Sequence, residues 1–282
     1  MIEVKNNRRQ QMAFLFADHH GDHMADAILD DVMGNAYIDD ETPTFGILEL
    51  PVVRIVFLGG DLTHPSAYTY LKNLPKFSRV FVASPNFEEL AQQVHPGKWI
   101  CLERYAFSSE NLDITKLRNL STQLPDGFQA KKIDTALARS LVEDKENKFA
   151  SYHGITFDSP DDFVARGFGY CVCEGETIAC VASTFTISNT GIEIQIDTKP
   201  NYRGKGLATV AAAHLIIHSL ESNLDPNWDA ATEISAKMAQ KLGYTSQGPY
   251  QFYIFTGSRL LVYLRKIVQV IKKIFGIKVL LR

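Results

Sequence analysis

Along the second half of the chain, the spacing of apolar residues predicts an ordered series of strands and helices. Residues 192–196 read Ile-Glu-Ile-Gln-Ile, the period-two pattern of a strand with one buried face. Residues 207–222 carry Leu207, Val210, Ala211, His214, Leu215, Ile217 and His218 at helical spacing, with Asn223 as a stop. A short strand is expected at 227–231. A helix over 233–242 follows, with Thr232 as N-cap and Gly243 as the glycine just past its end. Residues 250–255 then read as a closing strand. Upstream, 127–133 is a strand and Asp134 opens a helical stretch. Residues 167–174 and 177–187 form a hairpin across Gly175-Glu176, and 192–197 is the next strand.

The first half is less regular. A helical pattern covers 12–32, buried-type strands are expected at 51–58, 79–83 and 99–105, and helices at about 66–73 and 86–94 separate them. That alternation predicts a small α/β domain. The polar stretch at 121–126, ending in Pro125-Asp126-Gly127, reads as a linker and turn. The expected organisation is therefore 1–122, 123–256 and a tail at 257–282. No internal repeat is visible in the sequence.

Chemistry concentrates between the strand at 192–197 and the helix at 207. The intervening residues are Thr198-Lys199-Pro200-Asn201-Tyr202-Arg203-Gly204-Lys205-Gly206, followed by Leu207 and Ala208. Glycines at a helix start bring unpaired N–H groups and a positive dipole end close to a ligand, which suits a diphosphate. A P-loop is excluded, because Gly206 is followed by Leu207 and Ala208 rather than Lys and Ser or Thr. A dinucleotide fingerprint is excluded by Thr209 where its third glycine belongs.

What remains, Arg203-Gly204-Lys205-Gly206-Leu207-Ala208, resembles the coenzyme A diphosphate loop of the GNAT N-acetyltransferase superfamily, with Arg203, Gly206 and Ala208 at its specified positions. Lys241-Leu242-Gly243-Tyr244 is similar to the end of that superfamily's fourth helix, and residues 127–256 follow its order of elements. The resemblance implies an α+β GNAT fold, a mixed and mostly antiparallel sheet flanked by helices, preceded by the smaller α/β domain. It also implies an N-acetyltransferase that moves an acetyl group from acetyl-CoA to a primary amine of a small molecule or peptide. Ile196, Thr198, Arg203, Gly204, Lys205, Gly206, Leu207 and Ala208 would hold the acetyl-CoA. Glu193, with Asp197 second, would serve as general base; a solvated polar strand face is the competing reading. Trp228 and Asp229 would line the acceptor pocket, core packing being the other reading of Trp228. Ala239 stands where many members place the tyrosine acid, and Ser235, one turn earlier, is the substitute. That departure keeps open an alternative, a non-catalytic acyl-CoA-binding protein. The motifs Gly34-x-x-Tyr37-x-Asp39-Asp40, Ile196-Asp197-Thr198-Lys199-Pro200 and Asn227-Trp228-Asp229-Ala230 resemble the two-part bacterial group that includes zwittermicin-resistance acetyltransferases.

Composition narrows these readings. Among 282 residues, 45% are hydrophobic and 22% charged, a globular balance. No apolar leader or spanning stretch is read. The four cysteines, at 101, 171, 173 and 180, form no C-x-x-C and read as free thiols suited to a reducing cytoplasm. His19 and His23 are spaced as helical zinc ligands, but the intervening glutamate of a zinc motif is missing, so no metal is expected. The tail from Arg259 holds seven basic residues and no acid. The remainder carries 22 basic and 32 acidic side chains, a charge of −10, which argues against nucleic-acid binding. Leu260, Leu264, Ile267, Ile271 and Ile274 fall opposite the basic residues, the pattern of a basic amphipathic helix. Such a helix lies on an anionic membrane surface, making the protein peripheral to it, or docks on the body or on a second copy.

Overall fold

A computed structural model describes residues 1–19, 23–143 and 145–275, with the backbone alone for 145–147 and 269–275. The chain opens with β1 (Ile2–Val4), a 3-10 run (Asn6–Phe16) and α1 (His23–Leu29). Next come β2 (Asn35–Ile38), β3 (Phe45–Leu50), a 3-10 turn (Pro51–Val53), β4 (Ile55–Gly60), α2 (Pro65–Lys72), β5 (Ser78–Val82), α3 (Phe87–Val94), β6 (Trp99–Ser108) and α4 (Ile114–Ser121). The second half has β7 (Phe128–Lys132), α5 (Thr135–Glu143), a 3-10 run (Lys145–Ala150), α6 (Pro160–Arg166), β8 (Gly169–Glu174), β9 (Thr177–Ile187), β10 (Gly191–Thr198) and a 3-10 turn (Pro200–Tyr202). It ends with α7 (Leu207–Glu221), β11 (Asp225–Ala230), α8 (Glu233–Leu242), β12 (Thr245–Phe255) and α9 (Arg259–Phe275).

All twelve strands lie in one sheet, in the order β1-β2-β3-β4-β5-β12-β6-β11-β10-β9-β8-β7. The order is a palindrome: read from either edge, each strand of one half meets its counterpart in the other. The pairing directions match as well. Among the described residues only β4–β5 and β10–β11 are parallel. α2 and α3 follow β4 and β5 as α7 and α8 follow β10 and β11. The two halves thus repeat one topology, a duplication of strand order and direction that no repeat visible in the sequence announces. At the centre the two halves exchange their last strands. β6 pairs with β11, and β12 pairs with β5 and, through most of its length, with β6. The expected boundary near residue 122 falls between α4 and β7, yet the sheet runs across it.

One face of the sheet carries α2, α3, α4, α7 and α8 over apolar clusters such as Phe45, Leu71, Phe87 and Trp99 in the first half and Leu117, Ile216, Trp228 and Leu242 in the second. The other face is covered by the 3-10 run, α1, α5 and α6, and its cluster joins both halves through Met12, Ile28, Phe57, Phe81, Phe252, Leu141 and Phe163. Burial of these side chains, at roughly 1.5–3 kcal/mol each, is the main force holding the halves as one body.

The structure corrects several expectations. The single helix over 12–32 is instead a 3-10 run and the short α1, its middle lying outside the described residues. Arg9 belongs to that 3-10 run. It is buried and donates to the carbonyls of Val4, Ile28 and Met33, stitching β1, α1 and the chain after α1 together. Strands β1, β2 and β3 were not expected. β3 is buried along nearly its whole length, so it shows no alternation. α4 and α6 were also missed, and residues 51–53 form a 3-10 turn ahead of β4. The helix at 233–242 is as expected, with Thr232 Oγ1 accepting from the Ser235 N–H and Gly243 at φ +120°.

Candidate functional site

The glycine loop forms where the sequence places it. Arg203 ends the 3-10 turn after β10. Gly204 and Gly206 sit at φ +80° and +82°, and Gly206 caps α7 without any side chain. A Cβ at either glycine would meet nothing within 4 Å, so both look into open space. The Thr209 N–H closes the first turn of α7 on the Gly206 carbonyl at 3.0 Å, while the N–H groups of Leu207 and Ala208 ahead of it belong to the turn that has no intrahelical acceptor. Arg203 Nε donates to the Thr198 carbonyl at 3.2 Å, while the Lys205 ammonium rests over the Phe128 and Tyr202 rings at 5.3 and 5.1 Å. α7 is buried on most sides, through Leu207, Val210, Ala211 and Leu215 among others, which holds its N-terminus rigidly beneath the loop.

Next to the loop the sheet opens. β10 and β11 pair only over Gly191–Glu193 and Asp225–Asn227. Beyond Glu193, β10 continues along β9, whereas β11 from Trp228 onward pairs with β6. One edge of 194–198 therefore faces no strand, and its amide groups border a wedge that leads from the loop to Glu193. Ile196 lies half-buried in the core, and Thr198 donates to Cys180 Sγ at 3.2 Å. The residues fit acetyl-CoA in its essentials: an open glycine cradle, a helix N-terminus and a free strand edge in one line.

Glu193 lies at the apex of that wedge and is 4% exposed. Asn227, directly across the last β10–β11 pair, donates to Glu193 Oε2 at 2.6 Å. On the same sheet face, Arg104 of β6 pairs with Asp229 of β11, and Tyr250 of β12 donates to Asp229 Oδ2 at 2.7 Å. Burial pulls the Arg104 guanidinium down, but the Asp229 carboxylate more than restores it. Burial pushes the Asp229 carboxyl up against the opposing pull of Arg104 and Tyr250. Asp197 approaches His153 Nε2 at 3.5 Å, and His153 Nδ1 lies 2.6 Å from Ser183 Oγ. Among the described residues, five buried side-chain polar atoms have no hydrogen-bond partner. Four of them, His153 Nε2, Thr186 Oγ1, Gln195 Oε1 and Asp229 Oδ1, belong to this face. Thr186 is the cross-strand neighbour of Glu193, and Gln195 lies two positions beyond it.

The remaining expected residues lie elsewhere. Trp228 is 3% exposed and points to the opposite face, into the core against Tyr244. Its indole N–H donates to Ser235 Oγ at 3.2 Å, so that hydroxyl supports the core, and Ala239 is fully buried there. Arg104, Tyr250 and His153 were missed. Arg104 meets Asp229 across 125 residues, a separation at which sequence gives no pairing signal. His19 and His23 do not converge. His19 Nε2 contacts the Leu58 carbonyl, and His23 lies between Asp26 and Asp225. Among the described residues no group of three or more His, Cys, Asp or Glu gathers as a metal site would. All four cysteines are free, and burial pushes the Cys180 thiol up to about 12.

A sheet that parts beside a glycine-started helix, with a carboxylate at the apex, defines a GNAT-type acyltransferase. Comparison with known proteins agrees. A profile of the GNAT acetyltransferase family matches residues 13–253, and the chain belongs to that family. It is 23% identical over 262 residues to an uncharacterized N-acetyltransferase of Bacillus subtilis, across 89% of this chain and 97% of that one. The crystal structure of a GCN5-related N-acetyltransferase-like protein from Streptococcus suis superposes with a TM-score of 0.77 at 27% identity, covering 89% of this chain and 100% of the other. A GCN5-related N-acetyltransferase from Kribbella flavida shares the fold, with a TM-score of 0.57 at 11% identity over 91% and 99% of the two chains.

Proposed function

We propose that the protein transfers the acetyl group of acetyl-CoA to a primary amine of a small molecule or peptide, with 194–198 and 203–208 holding the donor. The observation that carries this reading is the set of partnerless buried polar atoms around Glu193. Polar groups are not left unpaired in a core without cost, so Thr186, Gln195 and Asp229 are arranged for a polar ligand. Acetyl-CoA supplies an activated thioester carbonyl. The chain supplies position, since orientation alone lowers the barrier by several kcal/mol. Glu193 takes the proton of the acceptor ammonium, with Asn227 fixing one carboxylate oxygen. Asp197 is the second candidate for that role. Asp229 Oδ1 accepts from the acceptor amine. Ser235 is committed to Trp228 and Ala239 has no proton to give, so the sulfur leaves without a protein acid; a thiol pKa near about 8.5 permits this.

The motifs at 34–40, 196–200 and 227–230 support placing the chain in the bacterial group of zwittermicin-resistance type. By segment, 123–256 would hold the donor, 1–122 would complete the acceptor side, and 257–282 would contact an anionic membrane surface. Exposed Leu260, Leu261, Tyr263 and Leu264 on α9 support the last assignment. No helix among the described residues is long and apolar enough to cross a membrane. The test is release of CoA thiol from acetyl-CoA against a panel of amines: aminoglycosides, polyamines, amino acids and peptide N-termini. Binding of acetyl-CoA without thiol release for any amine would leave a non-catalytic acyl-CoA-binding protein.

A further inference from the structure

The duplication gives the first half its own version of the active centre. Counting from the first pair of each parallel ladder, Phe57↔Phe81 stands where Glu193↔Asn227 stands in the second half. Both pairs lie on the same face of the sheet. The first half has lost the means to bind a diphosphate. After β4 the chain reads Asp61-Leu62-Thr63-His64, and the Asp61 carboxylate itself accepts from the Thr63 hydroxyl and N–H at 2.7 and 2.8 Å. Those bonds hold Asp61 below the usual carboxylate range, and no glycine stands between it and α2.

Beside Phe57 and Phe81 the sheet opens instead between β5 and β12, since β4 and β5 stay paired through Leu58↔Val82. A cleft of about 620 Å³ opens where β5 ends and the edge of β12 runs on unpaired. Phe57 and Phe81 stack at 5.0 Å on its floor, and Tyr250 and Tyr253 add two more rings. Asp18 and Glu88 are its two carboxylates. It contains no lysine or arginine, and among the described residues no basic side chain pairs with either acid. Its histidine, His19, is turned to the Leu58 carbonyl. Arg265 and Lys266 share the neighbouring pocket with Glu88, so Asp18 is the carboxylate with no basic side chain beside it in either pocket. Aromatic faces with a carboxylate among them are the surroundings of an organic cation. Tyr250 stands between the cleft and the proposed acetyl-transfer centre, lining the one and donating to Asp229 of the other.

We infer that this vestigial centre binds the distal ammonium of an extended acceptor, so that the substrate class is a linear di- or polyamine. From β12 to β10 there are three strand spacings, about 14 Å at roughly 4.8 Å each. The acceptor must span that distance between Glu193 and the cleft, crossing the Arg104–Asp229 ion pair, whose carboxylate keeps one oxygen, Oδ1, without a partner. The assignment rests on the acetyl-transfer reading for the reacting end and on the cleft alone for the distal end.

Spermine is the probe, titrated by calorimetry into the full-length protein at low salt. The double variant Asp18→Asn, Glu88→Gln changes two exposed side chains. It is expected to raise the spermine Kd at least ten-fold while keeping the wild-type Kd for acetyl-CoA, and to raise the spermine KM in parallel. Spermine that fails to bind the wild type, or binds the variant equally well, overturns the cleft, even if another amine supports CoA release. Carboxylate-dependent spermine binding without CoA release from any amine upholds the cleft as a cation site and sinks the acetyl-transfer reading instead.

Discussion

Glu193 occupies the last paired position before β10 and β11 part, where a side chain is buried yet borders an opening. Its proposed role makes Glu193→Gln a sharp test. The amide keeps the shape and the Asn227 contact but cannot take a proton, so kcat should fall by about 10²-fold or more and the rise of rate with pH should flatten. Acetyl-CoA affinity should stay within a factor of about two. An unchanged pH profile would move the role to Asp197. Gly206 tests the donor side. At φ +82° with open space ahead of it, Gly206→Val adds strain of roughly 1–3 kcal/mol and puts a side chain into the cradle. The variant should fold and lose acetyl-CoA binding by calorimetry; equal affinity in the folded variant would remove the loop from the site. Glu193 and Gly206 were legible because their signals are local, a strand parity and a turn. Arg104, Tyr250 and His153 were not, because their partners lie on other strands.

Among the elements, α9 is the least attached. Val262 is buried, and Arg259 Nε donates to the Pro96 carbonyl at 2.8 Å. Leu260 and Tyr263 stay 63% and 62% exposed. The helical pattern from 259 was read correctly, but the described side chains show its apolar residues turned largely outward rather than docked. A chain ending at Gly257 should therefore lose little stability, about the 1.5–3 kcal/mol of one buried valine. The full-length protein should float with anionic liposomes and detach as salt rises, because the Debye length falls to about 3 Å at 1 M. Aggregation of the truncated chain, or flotation that ignores salt, would count against a membrane-facing helix.

For the whole molecule, the exchanged strands make the halves inseparable. Residues 123–256 alone lack β6, which fills the place between β11 and β12, so that fragment should not fold, and the full chain should melt in a single calorimetric transition. Two resolved transitions would refute this coupling. His23 adds an electrostatic tie from α1 to β11. Burial draws its imidazole down, but its hydrogen bonds to the Asp225 and Asp26 carboxylates outweigh that and raise its pKa to about 10. A group raised in the folded state stabilises fully below its unfolded pKa of about 6.5 and loses that contribution as pH climbs to about 10. Stability should therefore decline across this window by up to about 1.4 kcal/mol per pH unit relative to His23→Gln, measured by urea unfolding at pH 6 to 9.5. A constant difference between the two proteins would show that the pair contributes no such linkage.

The sequence by itself determined much of the second half: the 233–242 helix, the hairpin across Gly175-Glu176, and the glycine loop before Leu207. A cap, a two-residue turn and a glycine pair mark these elements locally, whereas α6 and the first five residues of β12 were missed. It also determined the family, because the loop and the Lys241-Leu242-Gly243-Tyr244 helix end demand particular residues. The tertiary structure decided the rest. β1 to β3 are covered from both sides or very short, leaving no period to read. The duplication survives only as strand order, which sidechain identity does not record. The exchange of β6 and β12, the Arg104–Asp229 pair and the aromatic cleft arise between segments 100 or more residues apart. Contacts at that range are selected by the packing of the whole sheet and leave no signature in any one stretch of chain.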